Sequence, residues 1–105
     1  MSLQSLILSL ISDIDDPAVR MDVASTIVFL KDLYLSGAMG AEQLKSELKE
    51  VALTVIDALH PELLPEEREK KAEEMASQMA RAIKLETLRA RAFSKHRPRF
   101  PFPPG

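Results

Sequence analysis

A chain of 105 residues without cysteine has room for one modest core and no disulfide framework, thiolate zinc site or thiol nucleophile to go with it. Three glycines and one tyrosine among many Leu, Ala, Glu, Lys and Arg favour helix over sheet. The net charge of −2 hides a split: residues 1–80 carry 7 Lys+Arg against 15 Asp+Glu, whereas residues 81–105 carry 7 Lys+Arg against Glu86, giving −8 and +6. Such segregation reads as an acidic body with a basic arm.

The first apolar run, Leu3, Leu6, Ile7, Leu10, Ile11 and Ile14, has the spacing of one helical face. It predicts a helix from about Ser2 to Ile14, and Leu8 widens the face enough to predict burial over most of its circumference. The run lacks the basic flank of a secretory leader, and no segment reaches the roughly 18–20 apolar residues of a membrane span. A soluble, cytoplasmic protein is the expectation.

Asp15-Asp16-Pro17 reads as a stop and restart. Asp16 can cap a following helix by accepting a backbone N–H, and Pro17 suits the first helical position, where a missing donor costs nothing. The second helix then runs from Pro17 to about Ser36, with Val19, Val23, Ile27, Leu30 and Tyr34 as its stripe. Ala24, Val28 and Leu35 widen that stripe, with Phe29 and Leu33 further round. It is the most apolar helix and is expected at the centre of the fold. Gly37 supplies the left-handed residue that ends it.

A third helix is expected from Ala41 to Leu59, with Leu44, Leu48, Val51, Val55 and Leu59 on one face. Glu42, Lys45, Glu47, Lys49 and Glu50 form its solvated side. His60-Pro61-Glu62-Leu63-Leu64-Pro65 is a proline-bounded corner, with both leucines expected to tuck under the body.

The fourth helix is predicted from Glu66 to Ser94 or Lys95, acidic at its start and basic at its end, as the helix dipole favours. At about 1.5 Å per residue it is roughly 45 Å long, more than a small domain's diameter of roughly 30 Å, so its last turns are expected to stand clear. Ala72, Ala76, Met79, Ile83, Ala90 and Phe93 form one stripe, broken at Glu86. Leu85, Leu88 and Ala92 form a second on another side. Two apolar sides call for cover from a second copy or another protein, or from a folded-back tail or the first helix. Beyond Arg97 the prolines at 98, 101, 103 and 104 forbid helix, and Phe100 and Phe102 sit between them as apolar plugs.

The expected architecture is therefore all-α: an antiparallel four-helix bundle over residues 1–96 with a long fourth helix, followed by an extended Pro/Phe/Arg tail over residues 97–105. Between Ile11 and Leu35, the Asp15-Asp16-Pro17-Ala18-Val19-Arg20 turn resembles the inter-helix corner of a HEAT-type repeat. The later corner at His60–Pro65 has neither the Asp-Pro nor the Val-Arg pair, and a solenoid needs about three stacked units. The likeness is one of local hairpin chemistry.

No motif specifies a chemistry. Asp13, Asp15 and Asp16 could together hold a cation, but an EF-hand loop starting at Asp13 needs glycine and a bidentate glutamate where Ala18 and Ala24 stand. His60 beside Glu62 has no nucleophile near it in sequence, and His96 lies among cations. The serines and threonines have no triad or nucleophile-elbow setting, and no phosphate loop appears. The expectation is a protein without catalytic, metal or cofactor residues that binds a partner through Leu85, Leu88, Ala92, Phe93, Phe100 and Phe102. That partner would be a second copy, as in a homodimer, or another protein. Arg81, Lys84, Arg89, Arg91, Lys95, Arg97 and Arg99 would meet an acidic protein surface or, in the alternative reading, nucleic acid, with the phenylalanines stacking on bases. The acidic balance of residues 1–80 weighs against a broad nucleic-acid surface.

Overall fold

The computed structural model describes residues 3–96, with side chains through residue 90. The segment 97–105, and with it Arg97, Arg99, Phe100 and Phe102, lies outside the described residues, as do the side chains of Arg91, Ala92, Phe93 and Lys95. Four helices make up the fold: α1 (Leu3–Ile11), α2 (Pro17–Leu35), α3 (Ala41–Leu59) and α4 (Pro65–His96). The all-α expectation holds, and no strand occurs among the described residues. α1 packs on α2 and α4, α2 on α3, and α3 on α4, so the contacts close a ring.

Each corner follows from local chemistry. Asp16 has extended backbone, and its Oδ1 accepts the Ala18 N–H at 2.9 Å. Pro17 takes the first helical position, where no donor is lost. At the far end of α2, Gly37 adopts φ 85°, and the Ala38 N–H returns to the Leu33 carbonyl at 2.9 Å. That closure satisfies carbonyls the helix would otherwise leave open. Met39, in the loop that follows, drops its side chain into the core.

The dominant contact lies between α3 and α4. Leu44, Leu48, Val55 and Ile56 face Ala72, Ala76, Met79 and Ile83, all essentially inaccessible to water. The alanines let the two backbones approach, and the larger side chains fill the space between. Ion pairs line the seam and fix its direction. Lys45 meets Glu73 at 3.6 Å, Lys49 meets Glu69 at 2.6 Å and Glu73 at 3.1 Å, and Arg68 meets Asp57 at 2.9 Å. Later residues of α3 pair with earlier residues of α4, so the two helices run antiparallel.

Several expectations about placement are corrected. α1 ends at Ile11, not Ile14, because the chain turns there; Ile14 still reaches the core from the loop. Its circumference is not mostly buried, since Leu8 is 58% exposed. α2, although the most apolar helix by sequence, is not the centre. It buries Val23, Ile27 and Leu30 but exposes Met21, Val28, Phe29 and Leu35. The reason is size: a nine-residue α1 cannot clothe the outer side of a 19-residue helix. At the His60 corner Leu63 packs against the core, whereas Leu64 turns outward.

The buried stripe of α4 is also not broken in the way its sequence suggests. Thr87 takes the next inward position, with its hydroxyl donating to the Ile83 carbonyl at 2.9 Å. Glu86 sits to one side and accepts the Leu3 N–H at 3.3 Å, placing a carboxylate on the first turn of α1. Ala90 is exposed, so the stripe ceases to be covered after Thr87.

Two measurements check this arrangement. Leu48→Ala removes a fully buried seam side chain and is expected to cost about 2–5 kcal/mol in chemical denaturation, whereas Leu88→Ala is expected to stay within about 0.5 kcal/mol. The second is a pH dependence. Hydrogen bonding and proximity to Lys49 hold the Glu73 carboxyl below its ordinary 4.5, and Glu69 and Glu73 hold Lys49 above its ordinary 10.5. A depressed carboxyl contributes stability above its unfolded pKa and loses it as pH falls through the folded one. A raised lysine contributes below its unfolded pKa and loses it as pH rises. The stability gap between wild type and Lys49→Met is therefore expected to be widest near neutrality and to shrink by about pH 3. Both side chains stand partly in water, so the gap is small.

Candidate interaction surface on the outer face of helix four

α4 has 32 residues and α3 has 19, roughly 48 Å against roughly 29 Å at about 1.5 Å per residue. The Lys45–Glu73 pair places the start of α3 beside the third turn of α4, with more than 20 residues of α4 still to follow. α1 extends the cover as far as Glu86, through the Leu3 N–H. From Leu88 to Ala90 the side chains of α4 are exposed.

On this stretch, 3.6 residues per turn divide the side chains into two opposed sets. Ala76, Met79, Ala80, Ile83 and Thr87 face inward and are buried. Leu85 and Leu88 face outward, 47% and 61% exposed, one turn apart on the side remote from the core. Arg81, Lys84 and Arg89 surround them and are exposed as well. None of the three forms an ion pair among the described residues. The result is an apolar ridge edged by cations. Arg91, Ala92, Phe93 and Lys95 follow in the last turns of α4.

The remaining candidates from sequence are dispersed. Asp16 is engaged as a helix cap, while Asp13 lines a cleft of about 320 Å³ whose walls include Leu10, Ile56, Leu59 and Met75. Among the described residues no cluster of three or more His, Asp or Glu side chains could hold a metal ion. His60 Nδ1 stands 3.6 Å from the Glu62 carboxylate, beyond hydrogen-bond reach, with both side chains well exposed. No helix among the described residues is long and apolar enough to cross a membrane.

A surface that sequence reasoning missed lies across the molecule. Asp22 and Thr26 of α2 and Glu47, Glu50 and Thr54 of α3 line a furrow of about 240 Å³ floored by Val23 and Val51. Phe29 follows on α2, one turn beyond Thr26, and is 61% exposed. The signal available in sequence was Phe29 itself, standing outside the main stripe of its helix. Compared with protein-family models, curated proteins and solved structures, the chain finds no match.

Proposed function

We propose that this chain is a non-enzymatic protein–protein interaction module that associates with itself through the C-terminal half of α4 and residues 97–105. The observation that carries this reading is the outward pair Leu85 and Leu88, left in water on a helix whose opposite side is already committed to the core. Covering such a ridge removes apolar surface from water at roughly 25 cal/mol per Å², without disturbing the fold beneath. Ala92, Phe93, Phe100 and Phe102 extend the same apolar character along the sequence. Arg81, Lys84, Arg89, Arg91, Lys95, Arg97 and Arg99 orient the approach to an acidic surface and supply less of the affinity. A cysteine-free chain suits a reducing, cytoplasmic setting.

A second reading rests on one specific observation: Arg81, Lys84 and Arg89 are exposed and outside any ion pair among the described residues. That leaves them available to phosphates, as a nucleic-acid-binding accessory protein requires.

Sedimentation analysis separates the two. Self-association predicts a solution mass above the monomer that falls when residues 97–105 are deleted or Leu85→Glu is introduced. A monomer at every concentration, before and after these changes, would remove the first reading. For the second, labelled DNA and RNA are titrated at low and moderate salt. Binding that weakens steeply with salt supports phosphate contact, and no binding at low salt eliminates it, because counterion release is then most favourable.

A further inference from the structure

The ridge on α4 needs a receiving surface, and the same chain carries one of opposite charge. Phe29 is exposed on α2 between Asp22, two turns earlier, and Asp32, one turn later. The neighbouring furrow adds Glu47 and Glu50. Asp22, Glu47 and Glu50 have no cation within ion-pair distance among the described residues, and the furrow lining contains no lysine or arginine. Lys45 and Lys49, the basic residues of α3, are turned to the other side, onto Glu69 and Glu73 of α4. Lys31 is drawn toward Asp32, at 3.8 Å. The outer α2–α3 surface is thus an exposed aromatic ring amid uncompensated carboxylates. The outer face of α4 is an exposed leucine pair amid uncompensated cations.

We infer that the outer face of α4 in one copy docks on the Phe29 surface of α2 and α3 in a second copy, with Leu85 and Leu88 against Phe29 and Arg81, Lys84 and Arg89 toward Asp22, Glu47 and Glu50. This rests on the self-association proposed above and names what receives the ridge. Within one molecule the two surfaces stand apart: α2 and α4 each pack mainly on α1 and α3 rather than on each other, and Phe29, Leu85 and Leu88 are all left exposed. A contact between unlike surfaces on opposed sides is heterologous. Each copy then keeps one unused surface of each kind, and association proceeds head to tail into open or ring oligomers rather than stopping at a two-fold dimer.

This geometry gives a test that a symmetric dimer cannot imitate. Phe29→Glu and Leu88→Glu each alter an exposed side chain, and unchanged circular dichroism and melting temperature verify that each variant folds. Wild-type full chain is expected to grow in mass with concentration, past the dimer, and to associate more weakly as salt rises. Each variant is expected to weaken association at least tenfold. Mixed in equal amounts, the two are expected to form a discrete 1:1 complex that grows no further, because one retains only its acidic surface and the other only its basic one. If wild type associates but Phe29→Glu associates equally well, the ridge meets something other than this surface and the inference falls while self-association stands. A mixture that stays monomeric, with both variants folded, also overturns it. A wild type that is monomeric at every concentration overturns both.

Discussion

The close packing of α3 against α4 is the constraint from which the rest of the structure follows. Ala52, Ala72 and Ala76 are wholly buried there, and with so little side chain between them the two helix axes can approach. Leu44, Leu48, Ile56, Met79 and Ile83 fill what the alanines leave. Once that pair is set, α1 and α2 have only to cover its open side. The polar fringe of Lys45, Lys49, Asp57 and Arg68 with their partners fixes direction and contributes little energy, since all of these pairs stand partly in water.

From that seam the functional character of the surface follows almost arithmetically. A 19-residue helix cannot accompany one of 32 residues, and a nine-residue α1 makes up only part of the difference. The uncovered portion is also where cations gather. Placing them late in a helix is favourable for that helix, whose C-terminal carbonyls carry partial negative charge. The acidic residues fall largely on the first turns of α4 and on α2 and α3, so the sign of the charge changes along α4 itself.

The parts of the fold legible in the sequence were those decided within a few residues. Asp16 and Pro17 start a helix, and Gly37 ends one, because caps and left-handed turns are local chemistry. Bounds of α2, α3 and α4 follow from those signals and from the prolines. What was misread depended on neighbours. α2 was placed at the centre on apolar content, but a helix is central only if others surround it, and Phe29 and Met21 are left outside. Leu63 and Leu64 are indistinguishable by composition; the turn at His60 sends one inward and the other out. Glu86 interrupted a pattern in one dimension and became a partner for Leu3 in three. The outward setting of Leu85 and Leu88 could be read from spacing, since the period of one helix suffices. The furrow facing away from them could not, because its carboxylates come from two helices and meet only on folding.

The link between Glu86 and the Leu3 N–H has a consequence for how the molecule breathes. Isolated helices shorter than about 12–15 residues are marginal in water, so the nine residues of α1 owe their helical state to what they lean on. They lean on α2, and on α4 at the place where α4 begins to lose its other company. α1 is therefore the element this molecule can release at least cost, a sub-global opening distinct from complete unfolding. Such an opening would bare the inner sides of Leu3 and Ile7 while the α3–α4 pair stayed intact, giving the protein a soft edge on an otherwise firm hairpin.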